Sequence, residues 1–167
     1  MALPQVLFSL KCLQALPNGL GGIFLASDVA HGLARRDFVR KMGFPAWFPS
    51  MLGCYKLTQL AMNWVAGGVY VPAAQCLMAV QLGGAAYAHV VAEGAPLSSC
   101  AGVATFAVVT TTIQVLHGSM GLSTSVAAHT VLFGLGYATG YIVSFAGGQG
   151  GGGPSSPVKW RRIKGGL

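Results

Sequence analysis

The stretch TSVAAHTVLFGLGYATGYIVSF, residues 124–145, decides the fold class. It contains no Asp, Glu, Lys or Arg. A helix needs about 20 consecutive apolar residues to cross a hydrocarbon core of about 30 Å. The stretch also lacks the apolar–polar alternation that is typical of a half-buried strand. It is therefore predicted to form a transmembrane helix.

Four further segments have a similar length and similar apolar character, and they are predicted to span the membrane as well. They cover about residues 6–34, 47–66, 69–92 and 98–116. The connections between the last four spans are short, so neighbouring spans should run antiparallel. We therefore expect an all-α fold, a polytopic transmembrane helical bundle over residues 1–146, followed by a Gly-rich linker and basic tail over residues 147–167.

The composition excludes most soluble functions. Hydrophobic residues make up 53% of the chain and charged residues only 8%, whereas an ordinary soluble domain carries about 25% charged residues. The mean hydropathy is +0.62. No two of the four cysteines form a CxxC pair, so no zinc or other metal site is predicted. With three acidic residues and no Ser-His-Asp set, no catalytic residues are predicted.

The positive charges are concentrated at two places. The net charge is +7, and one basic cluster lies between the first two spans while the other closes the chain. Basic loops remain on the cytoplasmic or matrix side, and an even number of spans separates the two clusters, so both should share one side. This distribution argues against nucleic-acid binding. The clusters are Arg35, Arg36, Arg40 and Lys41, and Lys159, Arg161, Arg162 and Lys164.

The N-terminus carries neither a basic region before an apolar core nor an Arg-rich transit peptide. Any targeting information is therefore expected to lie within the chain. This expectation fits the mitochondrial inner membrane, with the basic loop and the C-terminal tail on the matrix side. The basic tail is expected to contact membrane lipid or other membrane protein subunits.

Charged residues inside a bilayer are costly, and each suggests a function. Asp28 in the first span and Lys56 in the second lie at comparable depths below the basic loop. An ion pair between Asp28 and Lys56 would allow both charges to stay buried. Such a pair would either hold two helices in register or form a proton or ligand site; a Lys56 side chain reaching to the membrane surface is the third alternative.

The four histidines are predicted to lie at two depths, with His31 and His89 near the basic side and His117 and His129 near the opposite side. Two pairs of this kind are candidate contacts for quinone or for two b-type haems, although each helix supplies only one histidine. His89 and Glu93 share a helix face, so they form either a ligand site or a polar helix end. Quinone, haem and bound lipid are the ligand classes that stay open.

Small residues mark two predicted helix–helix contacts. Gly136 and Gly140 form a GxxxG pattern in the fifth span, and Gly83 and Gly84 lie in the third. Such residues permit close approach of two helix backbones in a membrane. These four glycines are the predicted packing residues.

Residues 26–96 resemble the DoxX-like family of small four-helix membrane proteins. The resemblance rests on GFPAW at 43–47, GCYKL at 53–57, His89, and GAP at 94–96. It implies four DoxX-like helices, with the fifth span and the tail as additions, and a link to quinone-dependent membrane oxidoreductases. The family usually has Lys in the first helix and Glu in the second, and Asp28 and Lys56 look like the reversed pair.

Two functions follow as expectations. The first is a non-catalytic accessory subunit of a larger, energy-transducing membrane complex of the respiratory-chain type, which contributes helix packing and assembly contacts. The alternative is a DoxX-like oxidoreductase component that binds quinone or haem within the bundle. A solute carrier is less well supported, because the chain shows no inverted repeat.

Overall fold

The computed structural model describes residues 3–27 and 42–150, and these residues form five α-helices and no strand. The helices are α1 (Leu3–Ala26), α2 (Phe48–Trp64), α3 (Val71–Tyr87), α4 (Ala101–Leu116) and α5 (Leu122–Gly150). A π-helical segment, Ala88–Ala92, continues α3, and short 3-10 turns precede α3 and α4. The predicted all-α class is confirmed.

The end of α5 differs from the predicted one, and the predicted end of the first span lies outside the described residues. Residues 28–34 of the first predicted span lie outside the described residues, whose α1 ends at Ala26. Helix α5 continues to Gly150, within the segment 147–167 that is predicted as a Gly-rich linker and basic tail. The extension is held by the segment before α2: Gly147 packs against the Gly43 carbonyl, and the Ser144 hydroxyl donates to the Met42 carbonyl at 2.9 Å.

The bundle is built from two closely packed helix pairs, α1 with α2 and α3 with α5, and α4 packs on α3 and α1. The α3–α5 pair is in backbone contact, because a Cβ atom at Gly83 would strike the Phe133 carbonyl and one at Gly136 would strike the Val80 carbonyl. In the α1–α2 pair, Gly22 leaves room for the Leu57 side chain. Helix α3 lies between α2 and α5.

The distribution of polarity between core and surface is unusual. Large apolar side chains cover the outer faces, such as Leu16 and Leu20 of α1 (64% and 69% exposed) and Val131 of α5 (71%). The described core holds eleven buried hydrophobic residues and, beside them, nine buried polar ones. In water-soluble proteins, Gln and Asn are mostly exposed. The buried polar residues are Gln14, Asn18, Gln59, Asn63, Gln75, Thr110, Gln114, Ser125 and His129.

Two stretches of the described chain are long and apolar enough to cross a membrane, Leu97–Leu116 and Leu122–Gly147. Helices α2 and α3 have 17 residues each, short of a full span, and the buried amides lower the hydropathy of α1 and α2. The five-span count therefore stays a prediction.

Candidate functional site

A cluster of side-chain amides occupies the centre of the bundle. Gln14 of α1 donates from Nε2 to Gln75 Oε1 at 2.9 Å and to Thr110 Oγ1 at 3.1 Å. Asn63 donates from Nδ2 to Gln14 Oε1 at 2.8 Å, and Gln75 donates from Nε2 to Asn63 Oδ1 at 2.7 Å. These four residues, which we call the amide cluster, are all buried and come from four different helices. The cluster therefore fixes the relative positions of α1, α2, α3 and α4.

Lys11 attaches α1 to the end of α2. Its ammonium donates to the backbone carbonyl of Asn63 at 2.8 Å and lies 5.6 Å from the centre of the Trp64 ring. The last carbonyls of a helix have no partner within the helix and carry partial negative charge. Lys11 therefore acts as a cap on α2, and the indole face adds a cation–π contact.

Polar contacts continue from the amide cluster toward the opposite end of the bundle. Asn18 lies one helical turn beyond Gln14; its Nδ2 contacts Met78 Sδ at 3.7 Å. Gln81 donates from Nε2 to Asn18 Oδ1 at 3.2 Å. Gln81 also lines a cavity, so the polar interior reaches the wall of that cavity.

The cavity beside Gln81 has a volume of about 390 Å³ and lies between α2 and α5, with α3 as its floor. We call it the Lys56 cavity. Its walls are mainly apolar and aromatic, and the small side chains of α3 and α5 leave the space open. The lining residues include Phe44, Phe48, Met51, Lys56, Ala85 and His89. A cavity of this size and character, with a few polar groups, is typical of a small-molecule site.

Lys56 is the cation of this cavity. It is half-buried, and its Nζ lies over Gly21 of α1, where a Cβ atom would come within 3.5 Å. Within residues 3–27 and 42–150 its ammonium has neither a hydrogen bond nor an ion pair. Asp28, its predicted partner, lies outside the described residues, so the Asp28–Lys56 pair stays a prediction.

His89 reaches the same cavity from the π-helical end of α3. Its Nδ1 lies at a hydrogen-bonding distance of 2.8 Å from Glu93 Oε2, on the shared face that the sequence predicts. Both side chains are partly exposed, so the pair forms a polar helix end. Glu93 carries the only side-chain carboxylate among the described residues, and it contacts His89 and not Lys56.

The other two described histidines lie toward the opposite end, where α4 ends and α5 begins. His129 Nδ1 contacts Thr111 Oγ1 at 3.0 Å beside a second cavity of about 430 Å³. His117 Nε2 lies near Gly68. His117 therefore lies beside the start of α3, whereas His89 lies just beyond its end. No described group of three or more His, Cys, Asp or Glu residues has metal-binding geometry.

Several predicted site residues fall outside the described part of the chain. They are Asp28, His31, Lys159, Arg161, Arg162 and Lys164. The predicted packing glycines, in contrast, can be located. Gly83 and Gly136 lie in the backbone contact of α3 with α5, Gly140 faces the Tyr87 ring, and Gly84 has more room, since a Cβ there would lie 3.6 Å from the Gly136 carbonyl.

The sequence interpretation missed the buried amides. Three helices carry polar residues four positions apart, namely Gln14 and Asn18, Gln59 and Asn63, and Thr110 and Gln114. Residues at this spacing share a helix face. A paired polar face on three otherwise apolar helices is the signal that would have predicted a polar interior.

No protein family, curated protein or solved structure matches this chain. The DoxX-like resemblance is therefore neither supported nor opposed by these comparisons.

Proposed function

We propose that this chain is an integral membrane subunit without catalytic residues of its own, which packs into a larger energy-transducing complex of the respiratory-chain type. The observation that carries the proposal is the apolar outer surface around a polar interior. In a membrane, exposed Leu, Val, Ile and Phe side chains contact lipid tails instead of water, and hydrogen bonds between buried amides hold the helices together. In water, the same surface would be a large aggregation-prone patch.

Helices α1 and α5 show this apolar outer surface most directly. On α1, Leu16, Leu20 and Ile23 are 64%, 69% and 63% exposed and lie on one side. On α5, Val131, Ile142 and Phe145 are 71%, 63% and 61% exposed. Such faces fit lipid tails and apolar helices of neighbouring subunits equally well. The five-span topology and the mitochondrial inner membrane, with the basic tail on the matrix side, complete the proposal.

The test is native electrophoresis of membranes solubilised in a mild detergent. The chain should migrate in a band much heavier than its own 17.1 kDa plus detergent, and mass spectrometry of the excised band should identify other membrane subunits. Migration as a free monomer in the mildest detergent would overturn the subunit proposal. Alkaline carbonate extraction tests membrane integration separately, because an integral protein stays in the pellet.

A second candidate function is supported by one observation, the presence of Lys56 and His89 on a single apolar cavity. His89 is a predicted quinone contact, and Lys56 belongs to the predicted ion pair or ligand site with Asp28. A haem gains no such support, because His31, the predicted partner of His89, lies outside the described residues. Titration of purified protein with a short-chain quinone tests the candidate, and unchanged affinity in His89→Ala would reject this site.

A further inference from the structure

We propose that the Lys56 cavity binds a single-chain lipid with a carboxylate headgroup, a fatty acid, whose carboxylate is held by the Lys56 ammonium. The inference needs the membrane location proposed above only as the source of the lipid. It gives a different ligand to the cavity that the second candidate function assigns to a quinone.

The charge of the cavity selects an anionic headgroup. Lys56 projects a positive charge into an apolar space, and among the described residues it has no anionic partner. Glu93, the only described carboxylate, is held by His89 at 2.8 Å. An ionised group in apolar surroundings requires a counter-charge. One cation matches one carboxylate better than the nearly double charge of a phosphate monoester.

The walls of the cavity select an acyl chain. Leu25, Phe44, Phe48, Leu52 and Val80 offer an apolar lining. The Phe44 and Phe48 rings stack with centroids 4.3 Å apart, and Phe44 is only 2% exposed, so this wall is rigid. The volume of about 390 Å³ is at the lower end of the range for ligand sites, which favours one chain over the two chains of a phospholipid.

The position of the opening explains how a lipid would enter. Helices α2 and α5 both pack on α3, and the cavity lies in the gap between them. Met51 at its edge is 41% exposed, and Thr139 on the opposite edge is exposed. The opening therefore lies on the apolar outer surface, where a lipid tail would be found.

The experiment is photolabelling of the purified full-length chain in detergent with a diazirine-bearing fatty acid, followed by mass spectrometry of the labelled peptides. Label is expected on residues 42–56, 80–89 or 136–140, and an excess of unlabelled fatty acid should remove it. The methyl ester of the same chain should label about tenfold less, as expected when a charge-assisted hydrogen bond is lost.

Two variants test the residues. Lys56→Gln should weaken labelling about tenfold because it removes the positive charge, whereas Lys56→Arg, which keeps the charge, should retain labelling. Ala85→Leu should abolish labelling by filling the cavity. Lys11→Gln and Ala138→Leu are the matched controls, at a lysine remote from the cavity and at an exposed alanine of α5, and both should label like the wild type.

The proposal is overturned by equal labelling of acid and ester, by label confined to other segments, or by an unchanged Lys56→Gln. Stronger competition by a lysophosphatidate would replace the carboxylate with a phosphate headgroup, and stronger competition by a quinone would return the cavity to the second candidate function. Because the assay uses isolated protein, failure of the subunit proposal on a native gel would leave this result unaffected.

Discussion

Replacement of Gln14 by Leu tests whether the amide cluster, rather than apolar packing, determines how the helices assemble. Gln14 contacts partners on three other helices, and Leu has a similar size but no polar atoms. In the variant, Asn63 Nδ2 would lose its acceptor and Gln75 Oε1 would lose its donor, both in a buried setting. Each buried group without a partner costs about 1–3 kcal/mol.

The expected loss follows from those two groups. Two orphaned groups give about 2–4 kcal/mol at the lower part of that range. Measured interhelical hydrogen bonds in membrane proteins average about 0.6 kcal/mol, with a maximum of about 1.7, because polar groups find other partners when helices separate. We therefore expect Gln14→Leu to reduce the free energy of unfolding by about 2 kcal/mol.

The assay is unfolding in mixed micelles with increasing denaturing detergent, followed by circular dichroism. Ser9→Ala is the control, because Ser9 is exposed on the same helix and its hydroxyl bonds only to the Gln5 carbonyl one turn earlier. It should change the free energy of unfolding by less than about 0.5 kcal/mol. If Gln14→Leu is no more destabilising than Ser9→Ala, the amide cluster does not hold the helices together.

Three further perturbations have distinct expected outcomes. Gly136→Ala should destabilise by about 2 kcal/mol or more because its methyl group meets an α3 carbonyl, whereas Gly84→Ala should change little; thermal unfolding in detergent compares the two. Lys11→Met should cost about 1 kcal/mol by removing the cap of α2, measured by the same unfolding assay. Glu93→Gln should alter stability by less than about 0.5 kcal/mol, because its contact with His89 is partly exposed; a larger change in the unfolding midpoint would contradict this.

Helix positions were predictable because span length and apolar runs are local properties. The predicted segments 47–66, 98–116 and 124–145 each contain most of α2, α4 or α5. The end of α5 was not predictable from local sequence, because Gly147 there packs against Gly43, more than 100 residues away in the chain. Glycine content alone favours a linker there, whereas in the structure this end of α5 is helical and packs against residues 42–43.

The polar interior could be predicted only in part. The spacing of Gln14 and Asn18 defines a polar face on α1, but which face meets it depends on the arrangement of four helices. Gln14 and Gln75 are 61 positions apart, and Gln14 and Thr110 are 96 apart. The charge of Lys56 makes it a candidate from the sequence alone. Its cavity was not predictable, because the space depends on how the side chains of α2, α3 and α5 pack against one another.

The polar interior and the Lys56 cavity together suggest why this bundle carries its charge where it does. The amide cluster satisfies its own hydrogen bonds and needs no charge, so Lys11 at its outer end serves the last carbonyls of α2. At the other end, Gln81, which donates a hydrogen bond to Asn18, lines a cavity in which Lys56 has no anionic partner among the described residues. Half-burial of the Lys56 ammonium is costly in lipid. That cost is offset when an anion occupies the cavity, so ligand binding should stabilise the fold. Saturating fatty acid should raise the unfolding midpoint of the wild type and leave that of Lys56→Gln unchanged, and an equal rise in both would show that the lipid acts elsewhere.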